Sequence, residues 1–343
     1  MAHPGSGRIR AGVVGTGHMG QYHALVYAEM PDVDLAGVVD IDGDRAAGVA
    51  RRYDTQAFGD HRHLVGRVDV ASVAVPTEQH FHVARDLLEA GVGVLIEKPM
   101  TPTLEEAREL FAIARRTGAA LQVGHVERFN RAVDEMRQLV QAPILVESRR
   151  LGPFVPRVQK DTVIMDLMIH DIDIVLGLVD SPPARVAAQG ASVHSEVADV
   201  ASVQVRFQSG AIATITASRA TEEKVRTLTV TQPDAYIVLD YTEQDIQIFR
   251  RASHEFTTSR RAIRYQRRSQ IDRIKLYMEN PLKLELQHLI EAMRRGRSGE
   301  PVVLAEHEDL RSLAMALEIE RMIRDGIPEM AWPRDLTWSA PSR

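Results

Sequence analysis

The sequence predicts an α/β protein in which a doubly wound parallel sheet is followed by an α+β domain built on a large open antiparallel sheet. Three observations carry this expectation. Short apolar runs alternate with stretches of helical period between residues 8 and 124. A glycine-rich turn joins the first such run to the first helix. After residue 140 the texture changes to strand-like segments that follow one another without intervening helices.

In the first region the strands read as Ile9 to Val14, Leu35 to Val39, Val70 to Val75, Val92 to Ile96 and Ala120 to Val123, with helical stretches at about 20 to 45, 60 to 66, 79 to 90 and 103 to 117. Strand and helix in alternation imply a parallel sheet with helices on both faces. In the second region a helix-like stretch, TVIMDLMIHDIDIVLGLV, precedes alternating segments such as ASVQVRFQSGAIATITASRA, which read as strand, Ser-Gly turn, strand. Such a series makes an antiparallel sheet with one exposed face. Helical period returns at Leu282 to Met293 and at His307 to Arg324, and the sequence alone leaves open whether these helices pack back on the first domain. The expected division is a cofactor-binding domain over 8–125 and a substrate-binding and oligomerisation domain over 126–330. The Arg-rich stretch 260–275 lacks the aromatic interleaving of a nucleic-acid surface and reads as a solvated strand and turn.

Composition narrows the function classes. A chain of 343 residues exceeds one ordinary core, and its 44% hydrophobic and 26% charged residues are those of folded globular domains. The net charge of −5 gives no electrostatic reason to expect nucleic acid or an anionic membrane as partner. No apolar run approaches the roughly 18 residues of a membrane helix. The opening MAHPGSGRIR has no hydrophobic segment of signal-peptide length, so a cytoplasmic location is expected. The absence of cysteine removes disulfides, thiolate nucleophiles and Cys-type zinc sites.

The first motif is a phosphate cradle. Gly15, Gly17 and Gly20 stand directly after the first strand and open a helix whose first turn contains His18 and Met19. Glycines there allow a tight turn, close backbone approach to a pyrophosphate and helix packing on the strand, while free N–H groups at the helix start face the anion. This is the Rossmann dinucleotide fingerprint in its required context. Asp40, closing the second strand about 20 residues further on, suits hydrogen bonding to the adenosine ribose hydroxyls, a task Asp42 can share. A carboxylate there repels a 2′-phosphate, so NAD is expected over NADP. Pro76, Thr77 and His80 after the third strand, with Glu97 and Lys98 after the fourth, fall on the same sheet edge and complete the expected cofactor-binding set.

The second motif carries chemistry. Lys98, in LIEKPMTP, sits where doubly wound sheets bind ligands, and a lysine beside nicotinamide can donate to a substrate hydroxyl and stabilise the alkoxide formed as hydride leaves. Pro99 restricts its neighbour's backbone and helps aim the side chain. In DLMIHDID, Asp166, His170 and Asp173 at i, i+4 and i+7 form a polar stripe on an otherwise apolar helix. A histidine titrating near neutrality suits a general base, with Asp166 orienting it. A helix cap, an interdomain contact or a metal site are the competing readings of the stripe, and no strong metal-ligand cluster stands elsewhere.

Taken together, VVGTGHMG with Asp40, VPTEQH at 75 to 80, IEKPMT, VGHVERFN at 123 to 130 and DLMIHDID resemble the Gfo/Idh/MocA family of dehydrogenases, over roughly residues 8 to 325. The resemblance implies a Rossmann domain, a C-terminal domain on a large open antiparallel sheet, and a catalytic set of Lys98, Asp166 and His170. Within the family, GHVERFN, SRRLGPFVPRV and NPLKLELQHLI are similar to the UDP-N-acetylglucosamine 3-dehydrogenase branch, which oxidises the sugar 3-hydroxyl to a ketone. Arg131 stands where that branch has proline and Asn280 where it has glutamate. Arg128, Arg131, Arg149, Arg150 and Arg157 offer bidentate donors for a nucleotide-sugar diphosphate. Phe129, Asn130 and Phe154 lie beside them as further candidate substrate contacts. The alternatives are an inositol or free-hexose dehydrogenase of the same family, and a non-catalytic dinucleotide sensor. A homodimer or homotetramer through the C-terminal sheet is expected, because bare sheet faces invite association.

Overall fold

Strand–helix alternation is realised in the first region as β1 (Ile9–Val14), α1 (His18–Glu29), β2 (Val33–Val39), α2 (Gly43–Arg52), β3 (Ala57–Phe58), β4 (Val70–Val73), α3 (Thr77–Glu89), β5 (Gly93–Ile96), α4 (Leu104–Thr117) and β6 (Leu121–Val123). The computed structural model describes residues 7–259, 262–299, 302 and 305–333. Strands β1 to β6 form one sheet in the order β3-β2-β1-β4-β5-β6, and every pair is parallel. β4 and β5 are buried at every position, which is why they read as unbroken apolar runs. Two helical readings change. The stretch expected at 20 to 45 is two helices with β2 between them, and 60 to 66 holds a single 3₁₀ turn, His61–Leu64. Helix boundaries follow local chemistry: Thr103 caps α4 through its hydroxyl and Gly118 ends it in a left-handed conformation, φ 71°.

The second region contains α5 (Arg131–Leu139), β7 (Leu145–Leu151), a π-helical turn (Ile164–Met168) running into α6 (Ile169–Leu178), then β8 (Pro183–Ala191), β9 (Val200–Phe207), β10 (Ile212–Ser218), β11 (Val225–Thr231), β12 (Ala235–Asp240), β13 (Asp245–Ser259) and β14 (Ala262–Lys275). The chain continues through α7 (Pro281–Arg297) and α8 (Glu306–Asp325) to β15 (Glu329–Ala331). The sheet has nine strands in the order β14-β13-β12-β11-β7-β10-β9-β8-β15. It is not wholly antiparallel as expected: β7 and β10 pair in parallel, from Ile212 opposite Leu145 to Ser218 opposite Leu151. β7 is joined to the rest of the sheet through α6, not through a hairpin, and this crossover lets it slot between β10 and β11 in either sense. The Arg-rich stretch forms β14, paired to β13, although side chains over 251–269 lie outside the described residues.

The chain divides into two compact units, Met1–Phe129 with Asn280–Leu313, and Asn130–Glu279 with Ala314–Arg343. In the first, Leu282, Leu286, Leu289, Ile290 and Met293 of α7 join the core formed by α1, β1 and β2. In the second, alternate residues of β7, β9 and β10 share a core with α6 and with Met315, Ala316, Ile319 and Met322 of α8. No helix of the described residues is long and apolar enough to cross a membrane.

Candidate functional site: a dinucleotide cradle and two sets of catalytic candidates

In the first unit the strand order reverses between β1 and β4, the switch point at which open α/β sheets hold ligands. Gly15 takes φ +89° there, and a Cβ on it would lie 2.5 Å from the Ala74 carbonyl oxygen. A Cβ on Gly20 would lie 1.7 Å from the Gly15 carbonyl oxygen, so α1 can approach the turn only with glycine at this position. Gly17 is the N-cap of α1, with no side chain capping the helix and nothing within 4 Å of a would-be Cβ. This uncapped helix start, led by His18 and Met19 and open at Gly17, fits a dinucleotide pyrophosphate.

Asp40 closes the second strand as expected, but it arrives with partners. Its Oδ2 accepts hydrogen bonds from the Thr16 N–H and hydroxyl, both at 2.8 Å, and from Arg45 Nε at 3.0 Å; its Oδ1 accepts from the Asp42 N–H at 3.0 Å and Arg45 Nη2 at 2.8 Å. Burial opposes the charge, yet the Arg45 guanidinium and the N–H donors hold this carboxyl well below the usual carboxylate range. Asp40 therefore fastens the glycine loop through Thr16. Of its side-chain donors Arg45 lies at the surface, with 45% of its side chain exposed, and Thr16 is buried. Sequence reasoning identified neither Thr16 nor Arg45. Asp42 caps α2 and does not duplicate Asp40.

Lys98 is half-buried in the turn after β5, and its peptide to Pro99 is cis. Beneath it Glu97 is not presented to a cofactor, as the sequence suggested. It is buried, and its Oε1 lies 2.8 Å from His23 Nε2, while His23 Nδ1 lies 2.9 Å from Ser72 Oγ, itself 3.0 Å from the Tyr27 hydroxyl. A carboxylate only accepts, so Nε2 carries the hydrogen toward Glu97, and Nδ1 shares a hydrogen bond with the Ser72 hydroxyl. Burial works against the charge on Glu97, but the His23 hydrogen bond and the nearby Lys98 hold its pKa below the ordinary value. The relay ties the end of β5 to β4 and α1. His23 was missed, although its signal is present: it stands four residues before Tyr27 on the buried side of α1. Pro76 caps α3 and Thr77 begins it, beside the same sheet edge. His80 lies one turn further on and is 1% exposed, with both ring nitrogens against main-chain carbonyls. That engagement contradicts direct contact between His80 and a cofactor.

In the second unit the expected continuous α-helix is interrupted. Asp166 lies in the π turn, closed by the Ile169 N–H donating to the Ile164 carbonyl, and His170 follows in α6. Such turns are frequent at functional sites because they re-aim side chains. Asp166 and His170 are half-buried, whereas Asp173, the third member of the predicted stripe, is 4% exposed and belongs to the interior. Asp171, which the sequence did not single out, fixes the helix to the sheet. Its carboxylate accepts from Arg150 Nε at 2.6 Å and from the Ser148 hydroxyl at 2.7 Å, and Arg150 lies over the Tyr241 ring at 5.2 Å.

This pair redistributes the predicted substrate arginines. Arg150, 2% exposed, is committed to Asp171. Arg149, next to it on β7, necessarily points to the opposite, exposed face, away from α6. On the α6 side the residue opposite Arg150 is Arg226 of β11, half-buried. Arg128 is ion-paired with Asp309 at 2.7 Å, and Asn130 is a buried cap that accepts from the Ala132 N–H at 3.1 Å, so each has a structural partner. Phe129 packs on the His288 ring, centroids 5.6 Å apart. Phe154 lies under the buried Arg219, whose Nη1 donates to the Val158 carbonyl at 2.7 Å and so pins the loop after β7. Arg157 is in the 3₁₀ turn Pro156–Val158, and its side chain lies outside the described residues. The two departures from the branch pattern have local uses: Arg131 pairs with Glu279 at 2.7 Å, and Asn280 caps α7.

One buried acid has a measurable consequence. Glu285 of α7 is fully buried, with neither carboxylate oxygen hydrogen-bonded among the described residues. Burial first, then the charge of Glu97, push its pKa well above the ordinary value, with Arg128 acting against them. A carboxyl whose folded-state pKa is raised costs stability as pH climbs from the unfolded value toward the folded one. Glu285→Gln is expected to raise the melting temperature at about pH 7–8, the gap over wild type closing near pH 4.5, the ordinary value for Glu. Thermal unfolding across pH checks this, and a gap independent of pH would contradict it.

Comparison with known proteins bears on both units. The model of an oxidoreductase family with an NAD-binding Rossmann fold, GFO/IDH/MocA, matches residues 9–125, and the model of that family's C-terminal domain matches residues 143–238. UDP-N-acetylglucosamine 3-dehydrogenase of Acidithiobacillus ferrooxidans is 38% identical over 246 residues, covering 71% of this chain and 78% of that protein. Inositol 2-dehydrogenase of Rubrobacter xylanophilus is 31% identical over 195 residues, 54% of this chain and 56% of that one. The solved structure of the A. ferrooxidans enzyme superposes with a TM-score of 0.81 at 33% identity, covering 93% of this chain and 98% of that chain. Levoglucosan dehydrogenase in complex with NADH superposes at 0.78 with 18% identity, a likeness of fold.

Proposed function

Since the chain belongs to the Gfo/Idh/MocA family of NAD-binding oxidoreductases, we propose that it oxidises the C3 hydroxyl of UDP-N-acetylglucosamine to a ketone while reducing NAD. The observation that carries this reading is the 38% identity over 71% of the chain to an enzyme of that name. The uncapped start of α1 with Gly15, Gly17 and Gly20 holds the pyrophosphate, and Asp40 takes the adenosine ribose. Bound NAD supplies the hydride acceptor at its nicotinamide ring. Lys98 donates a hydrogen bond to the substrate hydroxyl oxygen and stabilises the alkoxide as charge develops on it. His170 accepts the hydroxyl proton, and Asp166 orients the imidazole and shares the contact to the sugar. Arg226 is the cation of the second unit that we assign to the substrate diphosphate, in place of Arg149.

The experiment is a side-by-side assay of NADH formation with UDP-N-acetylglucosamine, inositol and glucose. The nucleotide sugar is expected to give the highest kcat/KM. Preference for inositol would replace this substrate with that of the inositol dehydrogenase relatives. NADH binding without turnover on any of the three would favour a dinucleotide sensor.

A further inference from the structure

His80 stands between two backbone segments of the first unit. Its Nε2 is 2.8 Å from the carbonyl oxygen of Val75, just past β4, and its Nδ1 is 3.0 Å from that of Pro99 and 3.3 Å from that of Met100. The first segment leads into Pro76 and Thr77; the second is the turn that carries Lys98. A carbonyl oxygen only accepts, so the imidazole is the donor on whichever side is bonded. A neutral ring donates to one segment, and an imidazolium ties both. Burial, the larger influence, lowers the pKa of this imidazole, and the carbonyl contacts and the Glu97 carboxylate act in the opposite direction.

The surroundings make this contact specific to the lysine turn. From the other side, Glu97 already anchors the residue before Lys98 to His23, leaving the Pro99–Met100 backbone as the part of the turn that His80 alone holds among the contacts described above. An apolar side chain in place of His80 would leave buried carbonyls without their donor, and the turn would relax to find other partners.

We propose that His80 is a positioning residue for Lys98, clamping the Lys98–Pro99–Met100 turn to the end of β4. The proposal rests on the reading of Lys98 as the group that meets the substrate hydroxyl, and predicts that His80 acts on turnover while leaving cofactor binding in place. A displacement of about 1 Å in a reacting group costs up to about 100-fold in rate, which sets the scale.

The test compares His80→Leu and His80→Gln with wild type, the glutamine amide retaining a donor and standing in if the leucine variant fails to fold. Three readouts are taken: kcat with NAD and the preferred sugar, NADH affinity by fluorescence, and hydrogen–deuterium exchange, on NADH-bound protein, of the peptide covering residues 98–104. His80→Leu is expected to lower kcat about 10- to 100-fold, with NADH affinity within about 3-fold, and to speed exchange at 98–104; His80→Gln should recover part of each. Unchanged exchange at 98–104 in both variants would overturn the clamp. Faster exchange with unaltered kcat would overturn its role in positioning Lys98. Should wild type turn over none of the sugars, the catalytic reading fails by itself, and exchange still decides whether the clamp exists.

Discussion

Lys98→Ala is expected to lower kcat on the preferred sugar by about 100- to 1,000-fold, the range for removing a donor aimed at a developing oxyanion. NADH affinity should change by no more than about 3-fold, because the pyrophosphate cradle at Gly15 to Gly20 and the ribose position at Asp40 lie on other segments of the first unit. Two features explain why so much should depend on one side chain. The lysine is half-buried, so its ammonium acts in surroundings that screen charge less than bulk water does. Its neighbour Glu97 is locked to His23 and Ser72, so the turn is built before substrate arrives and little reorganisation remains for the reaction. Steady-state kinetics with a parallel NADH titration provide the measurement. A variant retaining kcat within about 3-fold of wild type would remove Lys98 from the chemistry.

Asp171→Ala is expected to destabilise the second unit by about 3–5 kcal/mol, the cost of leaving a buried charge without its partner. Arg150 is 2% exposed and Asp171 1% exposed, so water cannot replace the lost carboxylate. The Tyr241 ring against the guanidinium offers attraction to a cation but carries no full negative charge to neutralise it. Replacing both partners with apolar residues, Arg150→Met with Asp171→Leu, should recover much of the loss, because it is the unpaired charge and not the missing bond that dominates. Urea unfolding of the single and double variants separates the two contributions. A loss below about 1 kcal/mol in Asp171→Ala would mean that the pair is not the fastening of α6 described above. Since α6 also carries His170, the single variant should lose activity at temperatures where wild type is intact.

The parts of the fold that were legible in the sequence are those governed by local pattern. Strands β4 and β5 are buried at every position, with Ser72 the one polar residue between them, and β9 and β10 alternate because one face is buried. The glycine fingerprint was legible because Gly20 is dictated by the approach of the Gly15 carbonyl five residues before it and Gly15 by its own positive φ, although the Ala74 backbone that also crowds Gly15 is distant in the chain. What stayed hidden depends on partners distant in the chain. Nothing near Arg150 indicates Asp171, and only β-strand alternation together with the position of α6 separates Arg150 from Arg149. Arg128 and Asn130 sit in a motif that resembles a substrate-binding segment, and their partners, Asp309 for one and the start of α5 for the other, were not legible there. The π turn at Ile164–Met168 leaves no periodic trace, since one widened turn is too short to shift a hydrophobic pattern.

By itself the sequence determined a parallel dinucleotide-binding sheet, a second region of consecutive strands, and the residue types that can move a proton and bear an oxyanion. Those properties are set by side-chain period, by glycine's freedom of backbone and by the chemistry of lysine, aspartate and histidine. Tertiary structure alone decided that β7 runs parallel to β10, that Glu97 turns inward to His23, and that Arg150 and not Arg149 takes the buried face against α6. Each of these is a choice among partners far apart in the chain, and the energy that makes the choice, the cost of burying a polar group without a mate, arises only once the chain has closed around it.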